Sequence, residues 1–236
     1  MGIDLPASAA ITVEMANPNP PFVYDPPMVP QLDILHADDQ ILVLNKPCGL
    51  LSVPGKAEAH KDCLEARAQT AFPDARIVHR LDMDTSGVLV MAMNPQAHRH
   101  LGLQFERRKT NKTYIARVWG HVTNDTGLVD LPLRCDWPNR PRQMVCYEQG
   151  RPAQTHWKVL ARERETTVVE LSPITGRSHQ LRVHMLSLGH PIIGDRFYAQ
   201  GSALTAGDRL HLHARSLGLH HPADGEFIWF HSDVPF

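Results

Sequence analysis

The run Val88-Leu89-Val90-Met91-Ala92-Met93 is apolar throughout and partly β-branched, which predicts a buried strand. Short apolar stretches of the same kind recur along the chain. Leu32–His36 and Ile41–Asn45 flank Asp38-Asp39-Gln40 and predict a β-hairpin. Lys112–Gly120 alternates as a strand does, and Thr155–Arg162 with Thr166–Leu171 predicts a second hairpin. Arg209–Ala214 alternates leucine or alanine with polar residues, as a strand with one wet face would, and Phe227–Phe230 predicts a last strand. Helical spacing is confined to three places. Leu64, Ala68 and Ala71 predict a helix over 61–72 that stops before Pro73. Asn94 as N-cap and Pro95 at the first position open a helix to about Arg107, with Ala97, Leu101 and Phe105 on one face. Ser178 is the expected N-cap of a helix over 179–188 that ends at Gly189.

Between the short extended stretch Ala75–Val78 and the Val88 strand lie Arg80, Asp82, Asp84 and Gly87. This is turn composition at the edge of a scaffold, where polar side chains are held on a rigid support. The chain has 236 residues, 42% of them hydrophobic, enough to bury a core. Residues 1–30 carry seven prolines and predict a poorly ordered or extended tail, which leaves 31–236 as the folded domain. Four cysteines, Cys48, Cys63, Cys135 and Cys146, form no CxxC pair. That argues against a zinc ribbon or redox motif and fits a reducing compartment. No apolar run has spanning length, and no basic segment followed by an apolar stretch opens the chain, so the expectation is a cytoplasmic protein without membrane contact. Net charge is −1, which alone gives no sign of nucleic acid. Locally the picture changes: residues 99–117 hold Arg99, Arg107, Arg108, Lys109, Lys112 and Arg117 against the single acid Glu106. Such a strip suits phosphate contact. The loop Asp130–Arg142, with Arg134, Arg140 and Arg142 around Trp137, suits an RNA surface.

The wording of several segments carries more. His79-Arg80-Leu81-Asp82-Met83-Asp84-Thr85-Ser86-Gly87 resembles the motif around the catalytic aspartate of the RluA family of pseudouridine synthases. Asn45-Lys46-Pro47-Cys48-Gly49, Lys112-Thr113-Tyr114, and Thr175-Gly176-Arg177-Ser178-His179-Gln180-Leu181-Arg182-Val183-His184 resemble further phrases of that family, in order. The resemblance implies an α+β fold: a mixed, mostly antiparallel bent sheet with flanking helices and an RNA-binding cleft. It implies Asp82 as the catalytic carboxylate and Arg177 as its charge partner. A guanidinium within about 4–6 Å favours the charged form of a carboxylate in a site that loses water. Tyr114 would stack on the target base, an interaction worth about 1–3 kcal/mol. Arg80 would fill the gap left by a flipped nucleotide. His79, Gln180, Arg182 and His184 would belong to the RNA-contacting surroundings, with Arg107, Arg108, Lys109, Lys112, Arg140 and Arg142. Asp84 is expected to be dispensable. Gly189–Tyr198 is expected to be a structural connector.

No cofactor or metal is needed for an isomerisation that only moves a bond within one nucleotide. The Asp130–Arg142 loop resembles one branch of the family more closely than the rest, which implies a uridine in the tRNA anticodon stem-loop and one in 23S rRNA as targets. A monomer is expected. Two other readings stand beside this one. A non-catalytic RNA-binding, ribosome-associated factor would use the same basic strip and aromatics. A metal hydrolase would use His179 with His184, or His211 with His213, among fifteen histidines, though without the HExxH spacing.

Overall fold

The computed structural model describes residues 23–236. In chain order the strands and helices are β1 (Ile34–Ala37), β2 (Ile41–Lys46), α1 (Leu64–Ala71), β3 (Arg76–Ile77), β4 (Ser86–Ala92), α2 (Pro95–Glu106), β5 (Asn111–Trp119), β6 (Thr126–Asp130), β7 (Leu133–Cys135), β8 (Gln143–Val145), β9 (Gln154–Arg162), β10 (Thr166–Pro173), α3 (Gln180–Ser187), α4 (Gly201–Thr205), β11 (Leu212–His220) and β12 (Phe227–His231). Ten strands join in one sheet, in the order β1-β2-β4-β11-β5-β10-β9-β6, with β3 added to β4 and β12 to β11. Within it the pairings are antiparallel except β4 with β11, where Ser86 and Gly87 run parallel to His213 and Ala214. The β7–β8 hairpin stands apart from this sheet.

The apolar pattern explains the layering. β2 and β4 are buried on both faces, so they read as continuous apolar runs rather than alternating ones. Leu42, Leu44, Leu89 and Met91 pack with Leu64 and Ala68 of α1 on one face. Ile41, Val43, Val88 and Val90 pack with Ala97 and Leu101 of α2 on the other. The remaining half of the sheet builds a second core from Ala116, Val118, Val169 and Leu171 under Leu181 and Met185 of α3. Tyr114 packs against both halves, so it sits at their seam.

α2 starts as the sequence predicts: Asn94 Oδ1 accepts the Ala97 N–H at 2.8 Å, and Pro95 follows. Other expectations need correction. α3 is capped not by Ser178 but by His179, in the left-handed region at φ 52°. β11 runs on to His220, and its His213 is buried, bonded through Nδ1 to Ser86 Oγ at 2.9 Å rather than wet. Of the proline-rich tail expected over 1–30, residues 1–22 lie outside the described residues. The part that is described packs on the domain: Tyr24 donates its hydroxyl to Asp62 O at 2.7 Å, and Arg67 Nη1 donates to Pro27 O at 2.7 Å.

Candidate active site

Asp82 lies in the loop entering β4, and the backbone on either side of it is pinned from below. Lys46 is fully buried, and its Nζ donates to the carbonyls of Pro47 at 2.9 Å, Leu50 at 2.6 Å and Met83 at 2.7 Å. Burial brings its pKa down to about 7. Ser52 Oγ donates to Leu81 O at 2.7 Å and accepts Leu81 N–H at 3.2 Å. The residues before and after the carboxylate are thus held by the Asn45–Gly55 segment, which gives that proline- and glycine-punctuated phrase its purpose.

The guanidinium beside Asp82 is Arg182, not Arg177. Arg182 Nη1 stands 3.4 Å from Asp82 Oδ2. Arg177 lies at the rim, where its Nε donates to Pro152 O at 3.2 Å. The physical reason lies in the helix start. Arg177 precedes α3, whereas His179 and Arg182 are three residues apart at its first turn and project to the same side. Arg182 is itself fixed by Asp195, with Nε–Oδ2 at 2.8 Å and Nη2–Oδ1 at 2.6 Å, and both side chains are almost wholly buried. Such a bidentate pair is neutral as a unit. Asp82 therefore receives one remaining N–H of a guanidinium whose charge is already balanced.

His179 completes this floor. Its Nε2 lies 4.0 Å from Asp82 Oδ2, and its Nδ1 lies 2.7 Å from Tyr198 Oη. Burial holds its pKa down to about 4, only partly opposed by Asp82. Tyr198 Oη also accepts the Gln143 N–H at 2.7 Å. Tyr114 reaches the same cleft from β5, and burial, reinforced by Asp82, raises its hydroxyl pKa. Asp82 and Asp84 separate in role: Asp84 Oδ2 lies 3.0 Å from Arg196 Nε.

The cleft above this floor has a volume of about 1280 Å³. Its wall holds seven cationic side chains, Arg80, Arg108, Lys112, Arg140, Arg177, Arg182 and Arg196, against three carboxylates. A protein of net charge −1 thus concentrates positive charge in one concavity. Arg80 is exposed at its edge. Arg140 stacks on Trp137, 4.6 Å from the ring centre.

Several expected RNA contacts are engaged by the scaffold or lie off the cleft wall. Gln180 is buried: its Oε1 accepts Thr175 Oγ1–H at 2.7 Å and Arg177 N–H at 3.0 Å, and its Nε2 donates to Gln154 O and Thr155 Oγ1. It spends its bonding capacity on the scaffold. His184 is wholly buried against Thr155 Oγ1 and Leu131 O. Arg182 belongs to the floor, as described. His79 lines the cleft but is turned inward, stacked on Phe105 at 4.4 Å with Nε2 accepting the Val90 N–H at 3.1 Å. Arg107 and Lys109 are exposed but off the cleft wall, as is half-buried Arg142. The segment expected as a mere connector, 189–198, supplies Asp195, Arg196, Phe197 and Tyr198 to the site. Among the described residues no three His, Cys, Asp or Glu side chains come together as a metal-binding group.

Residues 40–187 match the family model described as RNA pseudouridylate synthase. The chain is 57% identical over 214 residues to the dual-specificity RNA pseudouridine synthase RluA of Salmonella typhimurium, covering 90% of this chain and 98% of that one. It is 56% identical over 214 residues to the protein of the same description in Escherichia coli K12, with the same coverage. Among solved structures, Human RNA Pseudouridylate Synthase Domain Containing 1 superposes with a TM-score of 0.75 at 30% identity, covering 90% of this chain and 87% of that one.

Proposed function

The chain belongs to the RNA pseudouridylate synthase family, and on that premise we propose that Asp82 carries the isomerisation of uridine to pseudouridine in RNA. In the reaction the N1–C1′ bond breaks, the uracil turns, a C1′–C5 bond forms and the C5 proton is lost to solvent as N1 gains one. No electrons are exchanged with an outside partner. One carboxylate, a surface to retain the free base and a dry pocket for an unstacked nucleotide suffice. The observation that carries the reading is the Arg182 Nη1 approach to Asp82 Oδ2, at 3.4 Å, on the floor of a positively charged cleft that Tyr114 also lines.

Each group has a role in this reading. Asp82 attacks or deprotonates at the reacting nucleotide. Arg182 donates a remaining N–H to the carboxylate, in the place expected of Arg177 from the sequence. Tyr114, protonated throughout the neutral range, stacks on the base. Arg80, at the exposed edge, fills the space of the extruded nucleotide. Arg108, Lys112 and Arg140 hold phosphates along the wall. Residues 31–236 act as one catalytic domain, and Arg107, Lys109 and Arg142 extend the basic surface beyond the cleft.

The targets in this reading are a uridine in the tRNA anticodon stem-loop and one in 23S rRNA; the description of the relatives as dual-specificity RNA enzymes supports a pair of RNA substrates. A cleft that reads a loop's shape rather than a long sequence accommodates two RNAs. The protein works without cofactor, as a cytoplasmic monomer. Among the described residues no helix is long and apolar enough to cross a membrane.

Pseudouridine mapping in tRNA and 23S rRNA from cells with and without the gene tests this. Sites lost in the deletion and restored by the wild-type gene, but not by Asp82→Asn, are expected. Restoration by Asp82→Asn would make the protein a binding factor instead.

A further inference from the structure

The floor of the cleft contains a chain of contacts that the roles above leave unused. It runs from the Gln143 N–H to Tyr198 Oη at 2.7 Å, from Tyr198 Oη to His179 Nδ1 at 2.7 Å, and from His179 Nε2 toward Asp82 Oδ2 at 4.0 Å. We propose that His179 is a positioning residue for the Asp82 carboxylate, a neutral imidazole whose Nε2–H is aimed at Asp82 by Tyr198. This rests on the reading of Asp82 given above.

The direction of the hydrogen bonds follows from the groups. A backbone N–H only donates, so Tyr198 Oη accepts from Gln143 and its own hydrogen is free to point at His179 Nδ1. With Nδ1 accepting, the single proton of a neutral imidazole resides on Nε2, which faces a carboxylate. The reverse tautomer would set a lone pair against that carboxylate. The ring carries one proton at neutral pH because burial keeps its pKa near 4.

The ring is also mechanically fixed. His179 is the cap of α3, with its carbonyl accepting the Val183 N–H at 3.0 Å, and its ring lies nearly parallel to Phe197. At 4.0 Å the contact to Asp82 is longer than a hydrogen bond. Catalytic contacts of this kind tighten when substrate fills the site. Gln143 begins β8, directly after the Arg140–Pro141 part of the cleft wall. RNA pressing on that wall is therefore linked to the carboxylate through two side chains.

The test uses the full-length protein and a tRNA transcript tritiated at uridine C5, on which the wild type releases tritium. His179→Leu removes the donor, and His179→Gln replaces it with an amide N–H of similar reach. Both substitutions meet the same positive φ, so backbone strain cancels between them. His179→Leu is expected to lower kcat by about 10- to 100-fold with KM within about twofold, as for a misplaced reacting group. His179→Gln recovers most of the loss. Tyr198→Phe, which keeps the ring packed beside Arg182, lowers kcat in the same sense, and the double variant His179→Leu/Tyr198→Phe is no slower than His179→Leu alone.

Full kcat in His179→Leu, or a His179→Gln no better than it, overturns the proposal. So do losses that multiply in the double variant. If His179→Leu does not fold, Tyr198→Phe with unchanged kcat overturns it equally. Asp82→Asn is run alongside: turnover in that variant removes the reading of Asp82 itself, whereas an inert Asp82→Asn beside a fully active His179→Leu removes only this inference.

Discussion

At the residue scale the site turns on one guanidinium shared by two carboxylates. Arg182 is bound in two places by Asp195 and in one by Asp82. Asp195→Asn leaves a buried cation without its bidentate partner, which costs about 3–5 kcal/mol. The expected result is a lower denaturant midpoint together with a lower kcat, since Arg182 is then free to swing from Asp82. Arg177→Ala, at the rim, is expected to keep kcat within about threefold of wild type and to act, if at all, on KM. Kinetics of both variants on one RNA separate the two arginines. The sequence holds both in one phrase, two residues before and three residues after His179. A motif read as a string ranks them equally; only the start of α3, and hence which side chains share its inner face, tells them apart. The same limit applies to Asp84. It was expected to be dispensable, and its pairing with Arg196 gives it a place in the wall but none at the reacting atoms. Asp84→Asn is expected to retain kcat and raise KM by a few-fold at most, measured on the same RNA.

At the scale of elements, legibility follows the range of the interactions. α2 is written locally: Asn94 caps, Pro95 follows, and Ala97 and Leu101 are buried. β2 and β4 are apolar at nearly every position, so their burial shows in the sequence without any partner. β11 is different. It pairs with β4, β5 and β12, and its bulge between Ala214 and Ser216 moves alternate side chains to the other face. A pattern of leucine and histidine cannot announce that His213 will be covered by Ser86 and Ser232, which are remote in sequence. The β7–β8 hairpin hid in a proline- and arginine-rich stretch that has no alternation to read. Gly87 shows how tightly the joint below Asp82 is made. It has φ 113°, and a Cβ there would run into the backbone of Ala214, where β4 meets β11. Gly87→Ala must both adopt an unfavourable backbone and force the strands apart, at a cost of about 3 kcal/mol or more. In a protein of this size that lowers Tm by roughly 6–12 °C, and activity at temperatures below the new Tm reports whether Asp82 has moved with the strand.

At the scale of the whole molecule, the two halves of the sheet and the cleft between them are tied together by histidines that must remain neutral. His79 accepts the Val90 N–H and has a pKa brought down to about 3 by burial; the charge of Lys112 adds to this. His179 and His213 are each brought down to about 4, again chiefly by burial. All three lie below the ordinary value of 6.5, so under pH 6.5 the unfolded chain binds protons that the folded chain refuses. Stability therefore falls as pH falls from 6.5 toward 4. Between pH 7 and 5 the loss is about 2 kcal/mol for each such group. Denaturant midpoints measured at pH 7 and pH 5 are expected to differ accordingly. His213→Asn, at a residue that does not line the cleft, should shrink the difference by about one histidine's share while leaving the other two in place. A midpoint flat across that range would mean that the imidazoles take up protons without unfolding the protein. The carboxylates contribute little in this window: Asp38 and Asp62 are held below their ordinary range by hydrogen bonds from histidines, backbone N–H groups and Arg67, so their protonation comes at lower pH. His179 is counted in this balance and also stands beside Asp82. Acid that protonates it weakens the fold and, by placing a proton on Nδ1, breaks the Tyr198 hydrogen bond that aims the ring, at the same step. Activity lost between pH 5 and 4 should then track the unfolding transition, rather than precede it as a separate titration.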